Sequence, residues 1–319
     1  MAFHRVTPFF RPAVRSILDQ TFRDWELVLV DNGTGQGLAA LGDDGRDPRL
    51  RLISHATNLG IAAAHNAAVA AARGEFIALL DYDDLALPTR LEKQVAALCA
   101  APGTGLVASC AETIDAAGRV TGREFALTAD AAQRAYTQYA APVVTPVYAG
   151  RREIFADLPY RREFTYGADY DFLARAAECC RFAAVPEVLL RYRHHPGQTT
   201  VEQAARIARE RCVVRLLAAR RRAGRPEGDD WPGLLQAGGG DGDLAWLMRQ
   251  FAGQALAEDF PVLAAYESRR SFAVRRTPGA LAGALRLFGH IWQHAGLQRR
   301  AASRMFFMGP VRALRLQPA

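Results

Sequence analysis

Residues 75–84, Glu75-Phe76-Ile77-Ala78-Leu79-Leu80-Asp81-Tyr82-Asp83-Asp84, decide how this chain is read. The apolar run predicts a buried parallel strand that delivers three carboxylates at its C-terminal tip. Ligands of open α/β sheets bind at that edge. Carboxylates this close repel one another unless a cation lies between them. Hard divalent cations such as Mg²⁺ or Mn²⁺ use one or two carboxylates and complete their shell with phosphate oxygens and water. A metal that holds a diphosphate is one reading of the cluster. An acidic turn capping a helix that starts near Pro88 is the other.

Working upstream, Trp25-Glu-Leu-Val-Leu-Val-Asp31-Asn32-Gly33-Thr34 reads as a strand running into a polar turn. Arg49-Leu-Arg-Leu-Ile-Ser54 is a second strand. Asn58-Leu-Gly60 and Asn66 then open a helix of small residues that closes at Arg73-Gly74. A short first strand is expected near Phe3–Thr7, a turn at Pro8–Pro12 and a helix through Gln20. Downstream, Leu106-Val-Ala-Ser-Cys110 is a further strand, Ala117-Gly118 a turn, residues 130–139 a helix and residues 202–223 another.

This order of elements resembles the nucleotide-binding half of family 2 glycosyltransferases with the GT-A fold. The usual text of that family is a strand ending in Asp-Asp-Gly-Ser, then Asn-x-Gly with a downstream Asn, then Gly-Glu-Tyr-Ile and Asp-x-Asp-Asp. Here those elements read Asp31-Asn-Gly-Thr34, Asn58-Leu-Gly60 with Asn66, Gly74-Glu-Phe-Ile77 and Asp81-Tyr-Asp-Asp84. Gln20-Thr-Phe-Arg-Asp-Trp-Glu26 is also typical of the family, and Pro142–Pro146 through Glu153 resembles its segment before the acceptor site. Tyr166-Gly-Ala-Asp169-Tyr-Asp171 resembles the segment that supplies the catalytic base, and Val185–His195 the strand and Arg/His loop that follow. The resemblance covers roughly residues 5–200.

It implies a GT-A type, Rossmann-like mixed sheet flanked by helices, with inverting transfer of a sugar from a nucleotide-sugar to a glycan or lipid-linked acceptor. By resemblance Asp83 is the direct ligand of Mn²⁺ or Mg²⁺, with Asp84 supporting and Asp81 nearer the ribose beside Tyr82. Asp169 fits the general base; helix N-terminal charge is its bland alternative. His195 and Arg193 meet the pyrophosphate or complete the metal site, or else are structural. Thr7 and Pro8 lie where the family contacts the nucleoside, and Asp31 would accept from the base. Asn58 and Asn66 either touch the base or hold their loop. The chain departs from the pattern at Thr7–Pro12, at Asn32 in place of the second Asp, and at Ala168 in place of the Glu before the base. The Gln-x-x-Arg-Trp signature of processive synthases is absent, which implies addition of a single sugar.

Composition agrees with a catalytic domain plus an appendage. The 319 residues are 50% hydrophobic, enough for a sizeable core. The expected organisation is a catalytic domain over 1–223, split into a nucleotide-sugar half to about 100 and an acceptor half over 101–200. A linker over 224–242 and a helical extension over 243–319 follow. Cys99, Cys110, Cys179, Cys180 and Cys212 show neither zinc spacing nor a disulfide framework, the usage of a reducing compartment. No apolar run reaches the ~18 residues that span a bilayer, so the expected location is cytoplasmic, with a peripheral place at the inner membrane face. That last point rests on charge. All 33 acids fall within 1–267, whereas 268–319 holds ten arginines and no acid. Leu281, Leu285, Phe288 and Trp292 form a stripe at helical spacing there, so an anionic membrane is one partner and packing on the catalytic domain the alternative. Nucleic acid is not expected, for want of a recognised motif. A silent binding or scaffold protein acting through the basic tail is the competing class. A nucleotidyltransferase would need a Gly-rich basic loop near the first strand, and no P-loop or Gly-x-Gly-x-x-Gly occurs.

Overall fold

A computed structural model describes residues 1–124, 145–236, 251, 252 and 255. Contacts divide the chain into two units, residues 1–202 and 203–319. The first unit is a mixed α/β assembly whose helices flank two sheets.

The first sheet is parallel, in the order β1 (Ala2–Phe3), β2 (Leu27–Asn32), β3 (Leu50–His55). Strand β2 is buried at all six positions, as befits a continuous apolar run between two neighbours. Helix α1 (Phe10–Leu18) buries Phe10, Ala13, Val14 and Ile17, the i, i+3, i+4, i+7 stripe of an amphipathic helix. Pro12 lies in its first turn, where no helical amide is lost. Helix α2 (Ile61–Ala71) buries Ala62, Ala63 and Ala64, small enough for close approach. Ala64 packs with Ala2 and Val30 against the first sheet.

The second sheet runs in the order β4 (Phe76–Ala78), β8 (Ala149–Arg151), β6 (Thr104–Ile114), β9 (Arg181–Arg193), β5 (Leu85–Ala86), with β7 (Val120–Glu124) beside β6. Strands β6 and β9 pair in parallel from Thr104–Arg181 to Ile114–Arg193; the other pairings in this sheet are antiparallel. Helix α3 (Arg90–Ala100) covers the sheet, and Leu98 joins Val107, Ala149, Val185 and Leu189 in its core. Helices α4 (Arg152–Asp157) and α5 (Ala168–Cys179) follow β8, and a short α6 (Thr199–Glu202) closes the unit. The second unit begins with α7 (Ala204–Arg222), followed by α8 (Trp231–Gln236) inside the stretch read as linker.

Two strand expectations change. Strand β4 ends at Ala78, three residues before Asp81, and is half-exposed. Its partner β8 runs antiparallel to it, so the strand is not the buried parallel one that the run implied. Strand β6 is twice the length of the Leu106–Cys110 segment, because β9 supplies hydrogen bonds along all of it. The helix expected over 130–139 and nearly all of the extension 243–319 lie outside the described residues. All five cysteines are free thiols. Among the described residues no helix is long and apolar enough to cross a membrane.

Candidate active site

Asp81–Asp84 form the turn that connects β4 to β5, with the Asp84 amide donating to the Asp81 carbonyl at 3.4 Å. The register of β5 on β9 aligns Leu85 with Arg191 and so brings Asp84 beside Arg193. The Arg193 amide donates to Asp84 Oδ1 at 2.8 Å. Ligating atoms of Asp81, Asp83 and Asp84 all lie within 4.8 Å of one another. Burial, then the charges of Asp83 and Asp169, raise Asp81 to about 7. Burial, then Asp81 and Asp83, hold Asp84 well above the usual carboxylate range. Asp84 is fully buried, and its Oδ2 has no hydrogen-bond partner among the described residues. Three crowded carboxylates with one oxygen left unmet fit a hard divalent cation, which would relieve both the repulsion and the orphaned atom.

The walls of this turn come from both ends of the first unit. His195 Nε2 lies 3.0 Å from Asp83 Oδ2, so the histidine reaches the cluster through Asp83. Its ring packs 4.7 Å from Phe9. The Arg193 guanidinium lies over the Phe9 ring at 4.6 Å. It donates to the carbonyls of Asp83 at 2.8 Å and Asp115 at 3.1 Å. Arg193 is therefore a buried brace between the acidic turn and the loop after β6. Tyr82 accepts from Arg5 Nε at 3.1 Å, and Arg5 also donates to the Gly197 carbonyl at 2.9 Å.

Beyond β2, Asp31 accepts the amides of Thr34 at 2.7 Å and Gly37 at 2.9 Å. Burial pushes its carboxyl up, but the Thr34 hydroxyl and these amides outweigh burial and hold it below its usual range. Both oxygens thus serve the turn. Asn32 accepts the Leu59 amide at 3.0 Å and donates to Asn58 Oδ1 at 2.8 Å and to the Gly60 carbonyl at 3.3 Å. Asn58 holds the loop by accepting the Gly60 amide as well. Gly33, at φ +94°, is required here: a Cβ would lie 2.6 Å from the Asn58 nitrogen. Asn66 forms two 2.8 Å bonds with the Tyr160 backbone, one as donor and one as acceptor, and so joins α2 to the segment after α4. Thr7 Oγ1 accepts the Phe9 amide at 3.3 Å at the start of α1, and Pro8 is exposed.

Asp169 stands in the first turn of α5, half-buried, with Oδ1 accepting the Tyr170 amide at 2.6 Å. A negative charge on Asp169 contributes to raising both Asp81 and Tyr160, which sets it within electrostatic range of the acidic turn. Asp171 is different: it is fully buried and paired with Arg175 at 2.9 Å and Arg161 at 3.7 Å. Sequence reasoning missed Arg90. Its fully buried guanidinium donates to the Leu79 carbonyl at 2.6 Å, to the Pro146 carbonyl and to Gln94 at 3.1 Å. Burial lowers it to about 10, while the charges of Asp84 and Asp81 pull the other way. Its one signal was the i, i+4, i+8 alignment with Gln94 and Leu98 on the buried face of α3.

Residues 1–158 match the family model described as glycosyl transferase family 2. An uncharacterized glycosyltransferase of Methanocaldococcus jannaschii is 31% identical over 191 residues, which is 58% of this chain and 66% of the archaeal protein. The succinoglycan biosynthesis protein ExoO of Rhizobium meliloti is 28% identical over 61% of this chain and 59% of its own length. The chain therefore spans less than two thirds of either relative. S. aureus TarS 1–349 in complex with UDP-GlcNAc superimposes with TM-score 0.58 at 16% identity, covering 93% of this chain and 90% of TarS 1–349. The mannosyltransferase PcManGT of Pyrobaculum calidifontis, in complex with GDP-Man and Mn²⁺, gives 0.51 at 17% identity, over 95% and 83%. At these identities the two structures establish the GT-A fold alone.

Proposed function

Because the chain belongs, through residues 1–158, to glycosyl transferase family 2, we propose that it is a metal-dependent, inverting glycosyltransferase. It moves one hexose from a nucleoside diphosphate sugar, UDP-linked, to a hydroxyl of a glycan or lipid-linked acceptor in cell-envelope or exopolysaccharide synthesis. The observation that carries this reading is the crowding of Asp81, Asp83 and Asp84 within the electrostatic reach of Asp169. A leaving diphosphate and an acceptor hydroxyl need these two kinds of carboxylate on opposite sides of one sugar. TarS with UDP-GlcNAc and PcManGT with GDP-Man and Mn²⁺ support a nucleotide-sugar and a divalent metal. ExoO supports an exopolysaccharide.

Asp81, Asp83 and Asp84 would hold Mn²⁺ or Mg²⁺, with His195 fixing Asp83 in place. When bound, the metal supplies positive charge against the departing diphosphate. Asp169 accepts the proton of the acceptor hydroxyl as its oxygen attacks the anomeric carbon. The bond from that carbon to the phosphate oxygen breaks in the same displacement, the electron pair leaves with the diphosphate, and configuration inverts. Thr7, Pro8 and the loops held by Asp31 and Asn58 face the nucleoside.

The test is a thermal-shift panel of UDP, GDP and their sugar conjugates, with and without Mn²⁺. Stabilisation is expected to need both a metal and one nucleotide, and to vanish in Asp83→Ala. Donor affinity that survives Asp83→Ala in the presence of Mn²⁺ rejects the metal role. A chain that responds to no nucleotide is a binding protein of this fold and not a transferase.

A further inference from the structure

The stretch between β1 and α1 carries an arginine whose bonds end on two separate segments around the acidic turn. Strand β1 ends at Phe3, so His4 and Arg5 stand just past the C-terminal edge of the parallel sheet. Arg5 Nε donates to the Tyr82 hydroxyl at 3.1 Å, and Nη2 donates to the Gly197 carbonyl at 2.9 Å. The His4 ring meets the Tyr82 ring edge-on at 5.9 Å, so two consecutive residues hold this tyrosine. Arg5 also pairs with Glu202 at 3.5 Å, but the two side chains are 36% and 45% exposed, and such a pair adds little. The contribution of Arg5 is therefore its two-armed link, from Tyr82 in the acidic turn to Gly197 in the loop between β9 and α6.

Asp83 and His195 are the neighbours of those two anchor points. Among the described residues, His195 is the one hydrogen-bond partner of the Asp83 carboxylate, at 3.0 Å. The orientation of that carboxylate thus depends on where the imidazole stands. Phe9 packs on the ring, and a turn closed by the Gln198 amide on the His195 carbonyl at 3.1 Å carries it. Gly197 lies inside this turn, between ring and guanidinium: a Cβ there would be 3.7 Å from His195 Nδ1 and 3.8 Å from Arg5 Nη1. Arg5 grips the turn at the Gly197 carbonyl, on the segment that aims His195. Its other arm holds the residue before Asp83. A planar fork that donates in fixed directions can set the spacing of two segments, which the single ammonium of a lysine cannot.

We propose that Arg5 is a positioning residue of the donor site: by tying Tyr82 to Gly197 it holds His195 against Asp83, and so sets the affinity of the acidic turn for its divalent cation. The inference rests on the metal-dependent transferase reading above and adds to it a residue that acts through another side chain. Groups that orient a metal's ligands without touching the metal change metal affinity by about 10–100-fold.

The experiment follows free Mn²⁺ by electron paramagnetic resonance as the full chain is titrated in the presence of UDP or GDP. Wild type is compared with Arg5→Lys, Arg5→Ala and Tyr82→Phe, and His195→Ala with the double variant His195→Ala, Arg5→Lys. Arg5→Lys keeps the charge and loses the fork, and its Mn²⁺ affinity is expected to fall about tenfold. Arg5→Ala is expected to fall at least as far, and Tyr82→Phe, which removes one arm, by a smaller factor. In His195→Ala, already weakened, Arg5→Lys is expected to change affinity by less than about twofold, because the route through His195 is gone. Metal-free melting temperatures are expected to stay near that of wild type, since Arg5 is partly exposed. If Arg5→Ala melts early, Arg5→Lys and Tyr82→Phe carry the test. Wild-type affinity in either of those two overturns the inference. So does an equal loss from Arg5→Lys with and without His195, the mark of an arginine that fastens the fold and does not act through the histidine. Failure of wild type to take up Mn²⁺ with either nucleotide overturns the transferase reading itself, and this inference with it.

Discussion

Asp169 and Asp171 are two residues apart in one helical turn, yet their surroundings assign them to different work. Asp171 is fully buried and neutralised by two arginines, which makes it a fastener of α5. Asp169 is half-buried, and its charge reaches the acidic turn. One oxygen of Asp169 accepts the Tyr170 amide, and a carboxamide oxygen can do the same. Asp169→Asn is therefore expected to keep the helix start and the donor site intact while removing the proton acceptor. Turnover should fall by roughly 10²-fold or more, the scale of a lost general base, with donor affinity unchanged. A kcat measurement beside a donor titration checks this, and normal turnover would remove Asp169 from the role.

At the scale of elements, the loop between β3 and α2, pinned by the end of β2, shows how a departure from family pattern becomes structure. Asn32 stands where the family has Asp, and its amide nitrogen faces two acceptors, Asn58 Oδ1 and the Gly60 carbonyl. An aspartate in its place would turn a carboxylate oxygen toward both. Asn32→Asp is therefore expected to destabilise the chain by roughly 1–3 kcal/mol, the cost of a buried polar group left unmatched. Urea unfolding checks it, and an unchanged midpoint would show that the loop re-forms around the new residue. The same loop marks the limit of what sequence reveals. The turn after Asp31 and the acidic turn Asp81–Asp84 were legible as turns because their residues are contiguous; the binding roles read for Asp31, Asn58, Asp81 and Asp83 stand as proposals. Strands β2 and β3 and helix α2 were legible from apolar runs and small residues. The bracing role of Arg193, the Asn66–Tyr160 clasp and the buried Arg90 were not. Each joins a side chain to backbone carbonyls or amides of a distant segment, 94 residues away for Asn66 and 110 for the Arg193–Asp83 bond. The length and partner of β4 were hidden for the same reason: an apolar run fixes neither the neighbour nor its direction.

Along the whole chain, charge is unevenly divided. Residues 1–267 carry 30 basic and 33 acidic side chains, close to balance, and the remaining 52 residues carry ten arginines alone. Much of the charge in the first unit is internally matched, through pairs such as Arg11–Asp44, Arg49–Asp47 and Arg51–Glu26. The tail contains no acid of its own to match. A lipid-linked acceptor would be reached at a membrane surface, and anionic headgroups attract basic residues by about 1 kcal/mol each near that surface. Leu281, Leu285, Phe288 and Trp292, set at helical spacing in the sequence, are the residues expected to enter the headgroup boundary. We therefore expect deletion of 268–319 to weaken sedimentation with vesicles containing phosphatidylglycerol, while leaving the nucleotide-dependent thermal shift in place. Binding by the full chain should fall as salt rises, because screening shortens the reach of surface charge to about 8 Å at physiological ionic strength. Equal vesicle binding by the truncated and full chains would count against the membrane role and return the arginines to the solvent. Loss of the nucleotide response on truncation would instead place the tail in the integrity of the donor site, where a membrane has no part.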